Sequence, residues 1–332
     1  MTRERLANLL QSFPSLCIAV LGDFFLDKYL DVDPSVSERS LETGLEARQV
    51  VEVRKFPGAA GTVASNLKAL GVGGVHAMGF VGCDGEGFDL LRALRNRGIE
   101  TGSVIMSQGM RTPTYMKPMV AGREMERLDI QNRKPPSRKL QSKVVSALAK
   151  AAPRLDGVMV SDQCTHAFGL VSEWMRERLA ELVRDFPALT VLVDSRARIG
   201  EFRGMCVKPN ASEAASALGH EVTAGNAVDA ARALRERGAR RVFVTLGARG
   251  IAFCGEDGEG IVPAPPAPQE IDIVGAGDAA AAGMLCALCA GASTQEAAEL
   301  ANLCAGVTIR KIGVTGTASP REVVELAALS VP

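Results

Sequence analysis

The chain has 332 residues, 47% of them hydrophobic, enough to bury a sizeable core as one large α/β domain or two smaller ones. Lysine plus arginine number 38 and aspartate plus glutamate 38, so no net field draws the molecule onto nucleic acid or an anionic membrane, and any anion site must be local. The N-terminal MTRERLANLLQSFPSLCIAV has no basic start leading into an uninterrupted apolar run, and no later run reaches transmembrane length, so a cytoplasmic protein is expected.

The first predicted strand, CIAVLGD, ends in Gly22-Asp23, and a second acid follows at Asp27. Two carboxylates just past a strand can accept hydrogen bonds from a polyol; they can also belong to a solvated turn. Residues 36 to 56 alternate like a strand, with charges on one side. From Pro57, PGAAGTVASNLKALG opens a helix with small residues that let a ligand approach the backbone. A strand at VHAMGFVG and a helix at GFDLLRALRNRG follow, and then a second alternating stretch, residues 111 to 131. The two alternating stretches read as a small sheet inserted into the main domain and able to cover its ligand edge as a lid, which phosphoryl transfer needs in order to exclude water. An ordinary surface hairpin pair fits the pattern as well.

Strands are next predicted at DGVMVSD, TVLVDS and CVKPN. After CVKPN, Asn210 and Glu213 stand three apart, a spacing that suits a ligand or its hydrated Mg²⁺ and equally a helix N-cap with its capping-box glutamate. The strand RVFVTLG runs into TLGARG, residues 245 to 250, a backbone-lined loop where a nucleotide could lie. Residues 271 to 283, IDIVGAGDAAAAG, read as a short apolar strand ending in Gly275-Ala276-Gly277-Asp278 and followed by a small-residue helix. The glycines let the first helical N–H groups point at a phosphate. An aspartate in that first turn is held as its anion by the helix dipole, which makes Asp278 a candidate base for a substrate alcohol. A simple helix cap is the other reading.

Alternating β and α units imply a doubly wound, mostly parallel α/β sheet. In such sheets ligands bind beyond the carboxyl ends of the strands, where Asp23, Asp162, Asp194, Asn210, Gly247 and Gly275 fall. The eight cysteines lie dispersed in apolar stretches, as reduced core residues do, and Cys286-x-x-Cys289 has no second pair. His76, His166 and His220 are too scattered for a His-held metal. The first strand is followed by Gly-Asp-Phe-Phe and not by G-x-G-x-x-G, against a nicotinamide-dependent dehydrogenase.

Taken in order, Gly22-Asp23 with Asp27, Gly58 onward, Asn210 with Glu213, Thr245-Leu-Gly247-Ala-Arg-Gly250 and Asp272 through Asp278 resemble the PfkB or ribokinase-like sugar kinases over nearly the whole chain. LGDFFLDKYL, VVEVRKFPGAAGTVASNLKALG, ERLDIQ, VLVDSR with VKPNASE, and ELANLCAGVTIRKIGVTGTASP look closest to the heptose-7-phosphate kinase domain of bifunctional ADP-heptose synthases. The resemblance implies a single ribokinase-like kinase domain over 1–332 and transfer of the ATP γ-phosphoryl group to a sugar or sugar-phosphate hydroxyl. It implies Asp278 as base with the Gly275, Ala276 and Gly277 amides as anion hole, and Asp23, Asp27, Gly58 and Asn66 around the sugar. Lys117 and Arg127 would meet a phosphate already on the substrate, or face solvent. Asp194, Asn210, Thr245, Gly247, Gly250 and Asn302 would line the nucleotide, Glu213 would organise Mg²⁺ through water, and Asp272 is a candidate ligand for a monovalent cation such as K⁺. A homodimer through the lid is the expected assembly. Such bifunctional proteins carry a nucleotidyltransferase domain after the kinase; with the chain ending at Pro332, that activity is expected on another polypeptide.

Three positions depart from the family's pattern: Ala59 where a second glycine is usual, Thr62 at an asparagine position, and Ala279 where a threonine commonly follows the aspartate. They leave open which sugar is used, fructose and ribose included, and leave a sugar- or nucleotide-binding sensor as the alternative.

Overall fold

The computed structural model describes residues 1–313 and 315–329. Nine strands form the main sheet, in the spatial order 258–262, 251–255, 241–245, 206–207, 190–195, 157–162, 17–22, 74–82, 100–107. Pairing is parallel from Arg241–Thr245 through Glu100–Ser107, and the Ile251–Gly255 and Gly258–Val262 strands add an antiparallel edge. The central parallel strands Cys17–Gly22, Gly157–Asp162 and Thr190–Ser195 are mostly apolar because both faces are covered, while the edge strand Glu100–Ser107 is partly exposed. In the Cys17–Gly22 strand, Ile18 and Val20 enter one core and Ala19 and Leu21 the other; Leu192 and its neighbours Val191 and Val193 divide in the same way.

The Ala276–Cys289 helix runs through the first of these cores, buried from Ala279 to Leu288, against the Thr294–Thr308 helix. Small residues permit that close approach: a Cβ at Gly283 would stand 2.6 Å from Cys304 Sγ. Ser293 and Glu296 form a complete capping box that starts the Thr294–Thr308 helix.

A second sheet holds the strands 128–130, 114–120, 24–32 and 50–59 in that order, with Arg123–Glu124 pairing at its edge. The chain passes between the sheets at Asp23, and again at Ala59, where Val50–Ala59 runs straight into the Ala60–Ala69 helix. Phe24 and Ala59 are partners in register, and the Ala60 N–H donates to the Asp23 carbonyl at 3.1 Å, so the two crossings are tied together.

The structure alters four expectations. The Phe24–Val32 strand, centre of the small sheet, has no counterpart among the predicted elements, because its mixed charges hide its period; Asp27 therefore lies within a strand and not in a turn. Within the stretch 36 to 56 only the part from Val50 joins that sheet, while Glu38–Arg39 and Glu46–Ala47 pair with each other. Residues 271 to 275 form no strand: Ile271, Ile273 and Val274 are exposed, and the Asp272 side chain turns the loop by accepting from Val274 N–H and Gly313 N–H, each at 3.0 Å. The edge hairpin from Ile251 to Val262 was also unforeseen. No helix among the described residues is long and apolar enough to cross a membrane.

Candidate active site

A cavity of about 500 Å³ opens at the carboxyl ends of the central strands, lined by Asp194, Arg196, Lys208, Asn210, Glu213, Thr245, Gly275, Gly277 and Asp278 among others. Strand register builds one wall. Val193 pairs with Val207, so Asp194 and Lys208 come side by side, with the carboxylate 3.0 Å from the ammonium. Lys208 is buried; desolvation alone would lower its pKa, but Asp194, Glu213 and Asp278 together hold it above its usual value. Lys208 and Arg196 were not singled out from sequence. Their signal was a cation just past an apolar strand, in VLVDSR and VKPN.

Asn210 and Glu213 form a full capping box on the Ala211–Leu218 helix, each side chain receiving the other's N–H at 2.8 Å. Glu213 Oε1 has no hydrogen-bond partner among the described residues, and Glu213 lines the cavity. Its carboxyl is raised by burial and by Asp194. Three carboxylates, Asp194, Glu213 and Asp278, thus share one cavity with hard oxygen donors, a set that fits Mg²⁺ held through water and substrate phosphates. Each Asp272 carboxylate oxygen accepts one backbone N–H, from Val274 and Gly313.

Gly275 caps the Ala276–Cys289 helix at φ +82°, a left-handed conformation that favours glycine. The N–H groups of Gly275, Gly277 and Asp278 have no acceptor among the described residues, and a Cβ at Gly277 would meet open space. Ala276 differs from expectation: its N–H closes a turn onto the Ile273 carbonyl at 3.2 Å and is not free for a phosphate. Asp278 is half-buried, and its carboxyl is pushed up to about 7, first by burial and next by Asp194, against the pull of Lys208 and Arg196. The sequence-based expectation of an aspartate kept well ionised by the helix dipole is thereby corrected, because desolvation outweighs the dipole. Ala279 is fully buried, so its missing hydroxyl would have faced the core and not a phosphate.

Among the residues expected around the sugar, Asp23 is buried and accepts N–H bonds from Gln163, Cys164 and Leu170 at 3.1, 3.0 and 2.8 Å, so it chiefly fixes the 163–170 loop. Burial raises its carboxyl to about 6 despite those three amides. Asp27 faces Lys117 at 3.2 Å, and a Cβ at Gly58 would stand 2.6 Å from Asp27 Oδ2. Asp27 is close enough to Asp278 to raise its pKa. Asn66 is buried, with Nδ2 donating to the Thr62 carbonyl and Oδ1 unpaired; Thr62 Oγ1 donates to the Pro57 carbonyl. Lys117 is also bound by Tyr29, and Arg127 by Asp129 and the Tyr115 ring, so both cations proposed for a substrate phosphate already have partners.

Among the residues expected around the nucleotide, Thr245 joins Asn210 in an isolated bridge. Gly247 and Gly250 shape the following loop, and a Cβ at Gly250 would strike the Val262 carbonyl at 2.0 Å. Asn302 lies off this cavity and ties down the next segment, donating to the Val262 and Pro263 carbonyls at 3.0 and 3.2 Å.

Ala59, at the crossing between sheets, has φ +52° and ψ −118°, a region that L side chains rarely enter. Ala59→Gly relieves that strain, less the entropy of a freer unfolded chain, so a net gain of about 1 kcal/mol is expected. Urea denaturation checks it: the midpoint should rise at constant m-value, and a lower midpoint would show that the conformation is not strained.

The model of the pfkB family carbohydrate kinases matches residues 28–321. The bifunctional protein HldE of Trichlorobacter lovleyi is 30% identical over 99% of this chain and 66% of its own length. HldE of Desulfatibacillum aliphaticivorans is 31% identical over 91% and 61%. The chain therefore spans less than two thirds of these relatives. Phosphofructokinase-2 from Escherichia coli in complex with fructose-6-phosphate shares the fold with a TM-score of 0.71 at 18% identity, covering 95% of this chain and 99% of that one. Arabidopsis thaliana ribokinase complexed with ribose and ATP gives 0.69 at 17%, covering 94% and 98%. With almost its whole length matched by that model and the same fold in those kinases, the chain belongs to the PfkB family of carbohydrate kinases.

Proposed function

We propose that the chain moves the γ-phosphoryl group of ATP to a hydroxyl of a sugar phosphate, with heptose 7-phosphate as the acceptor that the sequence resemblance favours. One observation carries the mechanism: Asp278, with a carboxyl near 7, stands beside unpaired N–H groups at the mouth of a cavity that holds two further carboxylates. Asp278 accepts the proton of the attacking hydroxyl, late in a loose transition state. The N–H groups of Gly275 and Gly277 meet the equatorial oxygens of the transferring phosphate, Ala276 contributing only its place in the turn. Lys208 and Arg196 offset the charge gathered in the cavity. Glu213 and Asp194 would hold Mg²⁺ through water, and the ion would supply positive charge to offset that of the phosphates. Thr245, Gly247 and Gly250 border the nucleotide, and Asp27, Gly58 and Asn66 the sugar.

The small sheet is proposed as a lid over one kinase unit, and a homodimer through it would cover the exposed Leu41, Leu45, Val51 and Leu128. Buried, hydrogen-bonded Thr62 and core-facing Ala279 remove two of the reasons for a turnover-deficient sensor.

A base must be unprotonated to work, so kcat/KM with heptose 7-phosphate should rise with pH along a limb centred near 7 and level off above it. A flat profile from about pH 5.5 to 8.5 would remove Asp278 from that role.

A further inference from the structure

The structure contains a cationic cavity distinct from the Asp278 cavity. It measures about 450 Å³ and is lined by Cys83, Asp84, Gln108 to Arg111 and Gln131 to Lys134. The side chains of Arg111, Arg133 and Lys134 have no hydrogen bond or ion pair among the described residues, unlike Lys117 and Arg127. One carboxylate shares the cavity, and it is engaged: Asp84 accepts from Gly87 N–H at 2.8 Å, from Thr112 N–H at 2.9 Å and from the Thr112 hydroxyl at 2.6 Å. Arg111 is also held in place. Asn132, buried, accepts from the Arg111 N–H at 2.9 Å and donates to the Arg111 carbonyl at 3.0 Å.

This cavity shares lining residues with its neighbour. Gln131 and Asn132 also line a smaller cavity, about 130 Å³, beside Asp23, Tyr115 and Arg196. That cavity in turn shares Gln163, Thr165 and Arg196 with the cavity of Asp278. The three cavities are thus neighbours linked pairwise by common lining residues: that of the base, a middle one with aromatic walls, and an outer one with three cations unpaired among the described residues. An acceptor that fills all three carries its reacting hydroxyl at one end and an anion at the other. Guanidinium groups match a phosphate dianion in geometry as well as charge, and the net positive balance of the outer chamber excludes a neutral polyol as its preferred occupant.

We propose that Arg111, Arg133 and Lys134 recognise the phosphate that the sugar substrate already carries, at the end of the molecule opposite the hydroxyl that is phosphorylated. The proposal rests on the sugar-phosphate kinase reading above. It assigns phosphate recognition to the chain between the small sheet and the body, in place of Lys117 and Arg127 on the small sheet.

The test compares heptose 7-phosphate with the unphosphorylated heptose as acceptors, using ATP and Mg²⁺ and the full chain. Arg111→Met should lower the ratio of kcat/KM for the phosphorylated over the unphosphorylated sugar at least about tenfold, and Arg133→Met with Lys134→Met should do so as well. Arg111→Lys should recover part of the ratio. Inorganic phosphate should inhibit the wild type competitively against the sugar phosphate and lose potency in Arg111→Met. A ratio within about twofold of wild type in all these variants would overturn the proposal. Should neither heptose be phosphorylated, heptose 7-phosphate fails as the acceptor; a thermal-shift titration with inorganic phosphate then tests the cavity alone. Stabilisation of the wild type that is lost in Arg111→Met supports the anion site, and equal stabilisation of both, or of neither, sinks it.

Discussion

Asp278→Asn is expected to lower kcat by roughly 100-fold or more while the Kd for ATP changes little, because the amide keeps the shape of the site and cannot take the proton. The same change should make the protein more stable at alkaline pH. The folded-state carboxyl lies near 7, well above its value in an unfolded chain, so the folded state retains a proton between about pH 4 and 7 that the unfolded chain has released. Its favourable contribution is complete at low pH and is lost as pH rises through 7. Asparagine has no charge to lose, so thermal unfolding of the variant should exceed that of the wild type by roughly 3–6 °C at pH 8 and by much less at pH 5. Loss of turnover with a gain of stability separates a functional carboxylate from a structural one. A variant that loses both would instead make Asp278 a helix cap.

Lys208→Met should damage stability and chemistry together. Lys208 is the buried cation among Asp194, Glu213 and Asp278, and Asp194 is directly paired with it. Removing one partner of a buried pair leaves an uncompensated charge, at a cost of about 3–5 kcal/mol. The carboxylates can escape by binding a proton, so the loss should be larger at pH 8 than at pH 5. With its counter-charge gone, Asp278 should titrate higher, and any residual activity should rise along a limb displaced to more alkaline pH. Urea denaturation at the two pH values and the pH–rate profile measure these effects. A loss below about 1 kcal/mol with an unmoved limb would show that Lys208 does not balance the acidic cavity.

Much of the fold was legible because buried parallel strands announce themselves: CIAVLGD, DGVMVSD, TVLVDS and RVFVTLG are apolar on both faces and are observed as strands. The Phe24–Val32 strand was hidden by its charges: Asp27 and Asp31 pair across the small sheet with Lys117 and Arg54, and Lys28 pairs with Glu86 on the Gly85–Arg95 helix, instead of facing solvent in alternation. IDIVG misled for the opposite reason. Its apolar side chains are exposed, and the Asp272 carboxylate bends the backbone away from extension. Within the site, Asp278 and its glycines were readable from spacing, yet the state of the carboxyl was not, since desolvation depends on Asp194 and Lys208 arriving from other strands. The same holds for Arg111, whose importance appears only when Arg133 and Lys134 come beside it around one cavity. Ala59 shows the reverse case: the substitution was plain in sequence, and only the backbone reveals its strain.

Asp278-dependent phosphoryl transfer is tested most directly by ADP release with ATP and Mg²⁺, measured across heptose 7-phosphate, fructose, fructose phosphates and ribose for the wild type and Asp278→Asn side by side. Turnover is expected to depend on the sugar, to be greatest with heptose 7-phosphate, and to fall at least about 100-fold in the variant. Equal turnover in the two proteins, or none with any of these acceptors while ATP still binds, would contradict it.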